Sequence, residues 1–134
     1  MTDRQQIGLA VFLILASLAV SPTASASYVD DGMAAMKAGK MTEAASHFTD
    51  GCVASDKDSC NALAVLGHKT GNKQFEMIGS ANACRLGDAT SCSFAGGEMV
   101  LQGQTDEGVK FLRAGCKMGN KKGCAQLDLL KLPH

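Results

Sequence analysis

Apolar residues along the chain recur three and four positions apart, and polar residues lie between them. They form two kinds of segment, represented by Ala44, Ala45, Phe48 and Cys52 and by Cys60, Leu63, Ala64 and Gly67. These spacings place side chains on one face of an α-helix. No segment alternates apolar and polar residues in the way that a half-buried strand does. The pattern predicts an all-α fold.

The beginning of the chain departs from this periodicity. Residues Ile7 to Val20 are almost continuously apolar and are followed by small residues ending in Ala24-Ser25-Ala26. This order is typical of a signal peptide, and the apolar run is short for a permanent membrane anchor. We therefore predict a signal peptide over residues 1–26, cleavage after Ala26, and no membrane anchor in the remaining domain, residues 27–134. The first cysteine, Cys52, is too distant from the cleavage site for a lipoprotein.

The remaining chain repeats itself every 32 residues. The step relates the cysteine pairs Cys52/Cys60, Cys84/Cys92 and Cys116/Cys124, the glycines Gly39, Gly71 and Gly103, and the polar residues Asp56, Asp88 and Asn120. Tyr28 occupies the register position of Cys60, Cys92 and Cys124, so the first repeat begins there. A period of this length is typical of solenoids built from helix pairs. We expect repeats at about 28–59, 60–91 and 92–123, with a C-terminal capping helix in residues 124–134.

Glycine and short polar residues mark the expected ends of the helices. Gly87 and Gly119 suit a left-handed residue after a helix, and Asp88 and Asn120 suit the start of the next one. Thr105, followed by two acidic residues, is a further expected helix start. Helices are predicted at about 29–38, 42–54, 59–70, 73–86, 91–102, 105–118 and 122–131.

The six cysteines have 15 possible disulfide connectivities. Because a translated copy of one geometry should give one connectivity, we predict the bonds Cys52–Cys60, Cys84–Cys92 and Cys116–Cys124. In the loop-closure model, each bond would add about 2.5 kcal/mol to the free energy of unfolding. Metal binding is disfavoured because zinc ligands usually lie two to four residues apart, and a redox-active pair because there is no C-x-x-C motif.

The charge of the chain argues against a nucleic-acid partner. Thirteen basic and thirteen acidic residues give a net charge of zero. Residues 27–109 carry an excess of acidic side chains and residues 110–134 an excess of basic ones. A solvated face on the last helices accounts for the basic excess, and an electrostatic docking patch is the alternative.

The cysteine-containing segments resemble a known family. The segments Gly51-Cys52 to Cys60, Ala83-Cys84-Arg85-Leu86-Gly87-Asp88 to Cys92, and Gly115-Cys116-Lys117-Met118-Gly119-Asn120 to Cys124 are similar to Sel-one-like repeats, relatives of tetratricopeptide repeats, in their Helicobacter cysteine-rich protein branch. The resemblance implies a right-handed superhelix with one disulfide per repeat. It also implies secretion into the periplasm or the medium, and use as a protein-interaction scaffold. Some members of the family are described as binding penicillin or weakly hydrolysing β-lactams.

Catalytic motifs are weak in this chain. Lys69-Thr70-Gly71 matches one motif of serine β-lactamases, but no serine is followed three residues later by lysine and S-D-N is missing. His47, His68 and His134 are scattered and form no ligand pair. We therefore assign no catalytic residue, no metal and no cofactor.

Two classes of function remain open. The first is a periplasmic or secreted binding module for another protein or peptide, which would use the first helix of each pair. Exposed sides of these helices offer the candidate binding residues Asn61, His68, Ser93 and Glu98. The alternative, suggested by the resemblance alone, is a penicillin-binding protein with weak β-lactamase-type activity.

Overall fold

The computed structural model describes residues 24–134. Within this range it contains seven α-helices and no strand: α1 (Ala24–Lys37), α2 (Met41–Val53), α3 (Lys57–Thr70), α4 (Lys73–Arg85), α5 (Ala89–Leu101), α6 (Thr105–Lys117) and α7 (Lys121–Leu129). Consecutive helices pack in pairs, which confirms the predicted all-α solenoid. Most of the predicted signal peptide, residues 1–23, lies outside the described range. No helix in that range is long and apolar enough to cross a membrane.

Six of the seven helices begin and end within two residues of their predicted bounds. The exception is α1, which begins at Ala24 rather than near residue 29. The sequence between Pro22 and Gly32 contains no helix breaker, and alanine has the highest helix propensity. The helix therefore extends through the predicted cleavage site at Ala26.

The helix ends follow the repeat. The turn glycines Gly39, Gly71, Gly87, Gly103 and Gly119 all have positive φ, a conformation that costs other residues more. Asp88 and Asn120 accept hydrogen bonds from backbone amides in the first turns of α5 and α7, as predicted. Thr105 is the first residue of α6 but not its cap, which is Gln104, and the Gln104 side chain makes no capping bond.

Helices within a pair contact each other more closely than helices of successive pairs. In the second pair the close approach depends on glycine, because a Cβ at Gly67 of α3 would overlap the backbone of Glu76 in α4. Along the row of first helices, α1 contacts α3 and α5 contacts α7. Direct contact between α3 and α5 is slight by comparison.

The weaker junctions between pairs are the ones that carry the disulfides. Cys52–Cys60 links α2 to α3, Cys84–Cys92 links α4 to α5, and Cys116–Cys124 links α6 to α7. This is the pairing predicted from the repeat. Cysteines of the first two bonds are buried, whereas those of the third are half-buried.

Two large apolar clusters lie on either side of the solenoid's middle. One contains Phe48, Leu63 and Leu66 from α2 and α3. The other is built from α4, α5 and α6 around Met99 and Phe111. The core is therefore divided near α4.

Candidate functional site

The core is divided near α4 because α4 lacks a large apolar side chain at one position of the 32-residue repeat. Phe48 in α2 and Leu112 in α6 are equivalent positions, and both side chains are almost completely buried. Phe48 packs against Gly32 of α1, and Leu112 against Gly96 of α5, so each fills the space beside its own first helix. The equivalent residue of α4 is Ser80. In α3, Ala64 stands at the position of Gly32 and Gly96, so the second pair has a serine and an alanine where the other pairs have a large side chain against glycine.

An open groove of about 460 Å³ lies at this place, with walls from α3 and α5 and a floor from α4. Its volume is within the range of ligand-binding clefts. The groove is lined by Asn61, Ala64, Val65, His68, Lys69, Glu76, Ser80, Asp88, Thr90, Ser91 and Phe94. We refer to it below as the α3–α5 groove.

The upper walls of the groove are apolar and accessible. Val65 is 53% exposed and Phe94 is 36% exposed, although both side chains are hydrophobic. The same register position holds the exposed Met33 in α1 and Leu129 in α7, and Gly97 in α5. Exposed apolar side chains therefore occur at this position in three of the four first helices. Exposed apolar surface of this kind is typical of interaction sites.

A buried carboxylate lies on the floor of the groove. Glu76 is 3% exposed and occupies the register position of Ala44 and Gly108. Lys73 Nζ lies 2.7 Å from one of its carboxylate oxygens and His68 Nδ1 lies 2.9 Å from the other. The bond from Lys73, opposed by burial and assisted by the bond from His68, lowers the pKa of Glu76. Its carboxylate is therefore paired with Lys73 and hydrogen-bonded to His68, and both of these side chains remain largely exposed.

A second polar cluster closes the opposite end of the groove. Asn61 of α3 donates to Asp88 over 3.2 Å and accepts from the Ser91 hydroxyl of α5 over 3.0 Å. Burial raises the pKa of Asp88, but the hydrogen bonds from Ser91 and Asn61 outweigh it and the net shift is downward. Asn61 thus bridges the two walls of the groove, and its amide is already engaged in this bridge.

The four predicted binding residues separate into two neighbouring sites. Asn61 and His68 line the α3–α5 groove. Glu98 and Ser93 line a smaller cavity of about 200 Å³ between α5 and α7, which shares Phe94 with the groove. The prediction of an exposed side for Ser93 is wrong, since this residue is only 3% exposed. Its hydroxyl lies where the missing side chains of glycines in α6 and α7 let those helices approach.

Sequence reasoning did not identify Val65, Glu76, Ser80 or Phe94. A signal for two of them was present, because Glu76 and Ser80 are the polar members of register positions that are otherwise apolar or glycine. Comparison of the three repeats position by position would have marked α4 as the unusual helix.

The motif Lys69-Thr70-Gly71 serves as a helix end. The Thr70 hydroxyl donates to the carbonyl of Leu66 over 2.9 Å, and Gly71 adopts the left-handed conformation that caps α3. Both Thr70 and Gly71 therefore have a structural role at the end of α3, and the motif needs no catalytic explanation.

A larger open groove of about 510 Å³ lies on the other side of the solenoid, between α2 and the N-terminal part of α4. It has no buried carboxylate among its lining residues. Near the C-terminus, the sulfur atoms of Cys116 and Cys124 lie close to a ring nitrogen of His134. Both sulfur atoms are bonded to each other, so they are not available as thiolate ligands.

The fold and the groove define a helical-repeat protein whose successive helix pairs are stapled by disulfides. The disulfides indicate an oxidising environment outside the cytosol. No protein-family model matches the chain, and no curated protein matches it in sequence.

Proposed function

We propose that this protein is an exported scaffold that binds another protein or peptide in the α3–α5 groove. The observation that carries the proposal is an accessible cleft with exposed apolar walls, Val65 and Phe94, above the buried Glu76. The domain gains nothing from leaving these side chains in water, whereas covering them with a partner adds a favourable hydrophobic contribution to binding. Helical solenoids commonly present such surfaces to partners.

The disulfides and the N-terminal sequence support export. Three local bonds are expected where thiols are oxidised, and the apolar segment 7–20 followed by small residues supplies a route out of the cytosol. Cleavage after Ala26 would shorten α1 so that it begins at Ser27. The mature protein would then act in the periplasm or in the medium. An intact mass corresponding to residues 27–134, recovered from the extracytoplasmic fraction, tests this part.

Membership of the Sel-one-like repeat family is part of the same proposal. It is supported by the 32-residue period and by the position of each disulfide between one helix pair and the next. A scaffold role agrees with that membership.

Site-specific photo-crosslinking tests the binding role. A photoreactive phenylalanine analogue at Val65 lies in the groove, and the same analogue at the exposed Gln74 of α4 is the matched control. We expect one partner, identified by mass spectrometry, to be crosslinked at position 65 and not at position 74. Equal labelling from both positions, or no adduct at position 65 in the native host, would contradict the proposal.

A further inference from the structure

We propose that the third disulfide is a redox-controlled metal site, in which the reduced Cys116 and Cys124 and the imidazole of His134 bind one zinc ion. The site is separate from the α3–α5 groove and goes beyond the scaffold role. Within residues 24–134, it is the one place where three side chains able to bind a metal have their ligand atoms within 4.8 Å of one another. Cysteine sulfur and histidine nitrogen are ligands that zinc prefers.

The segment after α7 brings His134 to the disulfide. The chain leaves the helix through Lys131, which has a positive φ, and Leu132 then packs against an apolar cluster of α6 and α7. Arg113 of α6 donates from Nε to the carbonyl of Pro133 over 3.2 Å. An apolar contact and a hydrogen bond thus anchor the two residues that precede the histidine.

Asp128 orients the imidazole of His134. Its Oδ1 lies 2.7 Å from Nε2 of the ring. A metal-binding histidine typically donates its second ring N–H to a carboxylate or carbonyl, which fixes the tautomer and the direction of the ring. When Nε2 donates to Asp128, the lone pair of the neutral ring is on Nδ1. This nitrogen would bind the ion while the bond to Asp128 is kept.

The fold removes the objection that the spacing of the cysteines raised. Zinc ligands usually lie closer in sequence than the 8 residues that separate Cys116 from Cys124, but the turn between α6 and α7 places their Cα atoms 4.7 Å apart. Zn–S bonds of about 2.3 Å in a tetrahedral site hold two sulfur atoms about 3.8 Å apart. Rotation about the Cα–Cβ bonds of the reduced side chains gives that separation while both helices stay in place.

The third bond is also the most accessible to a reductant. Cys116 and Cys124 are half-buried, whereas Cys60 and Cys92 of the other two bonds are completely buried. Thiol–disulfide exchange begins with attack of a thiolate on a disulfide sulfur, so access decides which bond reacts first. A dithiol reductant supplies two electrons and two protons. The S–S bond breaks, each cysteine becomes a thiol, and the dithiol closes to its own disulfide.

Metal binding and the disulfide exclude each other, because both use the same two sulfur atoms. Zinc binding releases the two thiol protons, and the two thiolates then neutralise the charge of the ion. The exposed lysines of this surface, Lys117, Lys121 and Lys122, therefore do not oppose it. The C-terminal end of the solenoid would hold zinc under reducing conditions and release it on oxidation.

Limited reduction followed by metal titration tests the proposal. The exported protein would be treated with dithiothreitol in the absence of oxygen, and one portion would be alkylated and mapped by mass spectrometry. We expect Cys116 and Cys124 to be labelled before the other four cysteines. A second portion, freed of dithiothreitol, would be titrated with zinc in competition with a chromophoric chelator. We expect one zinc ion per chain, and a thiolate-to-cobalt charge-transfer band when Co²⁺ replaces zinc.

Three variants identify the remaining parts of the site. His134→Ala should be reduced like the wild type but should bind zinc more than about 100-fold more weakly, because a ligand is lost. Asp128→Asn should weaken binding by about 10-fold, since it keeps the ligands and loses only the orienting carboxylate. His47→Ala in α2 is the matched control and should bind zinc like the wild type. The oxidised protein should bind none.

Several results would overturn the proposal. These are simultaneous reduction of all three bonds, an unchanged zinc affinity in His134→Ala, equal zinc binding by the oxidised protein, and cobalt binding without the charge-transfer band. If opening the third bond unfolds the protein, zinc should restore the circular-dichroism signal of the helices in the wild type and not in His134→Ala, because an ion that binds only the folded state stabilises it. Equal recovery in both, or recovery in neither, would also overturn it.

Discussion

Replacing one cysteine pair at a time by alanine separates two contributions of a disulfide, loop closure and sulfur packing. All three bonds have the same sequence separation of 8 residues, so the loop-closure model assigns each about 2.5 kcal/mol. Burial differs, because Cys60 and Cys92 are completely buried whereas Cys124 is half-buried. A difference among the three double variants therefore reports packing rather than loop length.

The expected losses follow from these two terms. A fully buried sulfur removed from a closed core costs about 1 kcal/mol, by analogy with a buried methylene group. The first two pairs should each cost about 4 kcal/mol and the third about 3 kcal/mol. The gain in helix propensity on replacing cysteine with alanine is similar for all six positions, since all lie in helices. It cancels in the comparison.

Urea unfolding without reductant measures these free energies in the domain 27–134, and no variant contains a free thiol. Opening a loop expands the unfolded chain, so the denaturant slope m should rise equally in the three variants. A third pair that costs as much as the other two would refute the role of burial. Losses below about 1 kcal/mol for all three pairs would refute the loop-closure magnitude.

Three further predictions concern the helix ends and the buried acid. Ser55 adopts a positive φ at a position where the later repeats have glycine. Ser55→Gly should therefore stabilise the domain by about 1 kcal/mol, and Gly87→Ser should destabilise it by a similar amount, both measured by thermal unfolding. Gln104 makes no capping bond, whereas Asn72 accepts one from the α4 backbone, so Gln104→Asn should add about 0.5–1 kcal/mol and Asn72→Gln should remove it. The lowered pKa of Glu76 stabilises the fold above the ordinary glutamate pKa and this contribution is lost as the pH falls through the folded pKa. Glu76→Gln should therefore cost about 1–2 kcal/mol at pH 7 and progressively less below about pH 4, as measured by urea unfolding; an equal cost at both pH values would contradict the assignment.

The architecture could be predicted because the same structural signals recur in each repeat. Each cysteine pair, turn glycine and capping Asp or Asn appears at the same interval, and three copies of one signal exclude most alternatives. The helix bounds and disulfides depend mainly on such local chemistry. The start of α1 was harder to predict, because the residues before Ser27 were assigned to the signal peptide, whereas the helix begins at Ala24.

The candidate site was harder still, since it is produced by a difference between repeats. The groove lies over Ser80 and Glu76, and it stays open because α3 and α5 make little direct contact. That outcome depends on the packing of both neighbouring clusters and on the bridge through Asn61. The burial of Ser93 also depends on packing between helices. Its polar side chain suggested an exposed position on α5, but it lies buried beside Gly115 of α6.

The position of the disulfides also determines how the protein responds to tension. Each S–S bond bypasses the short turn between two helix pairs and shortens the fully extended chain, together by about 70 Å. A pulling force applied at the two ends is transmitted through the sulfur atoms instead of through those turns. The turns between helix pairs would therefore stay closed while the helices themselves unravel, so that even a stretched molecule keeps the order of its units and a short path back to the fold.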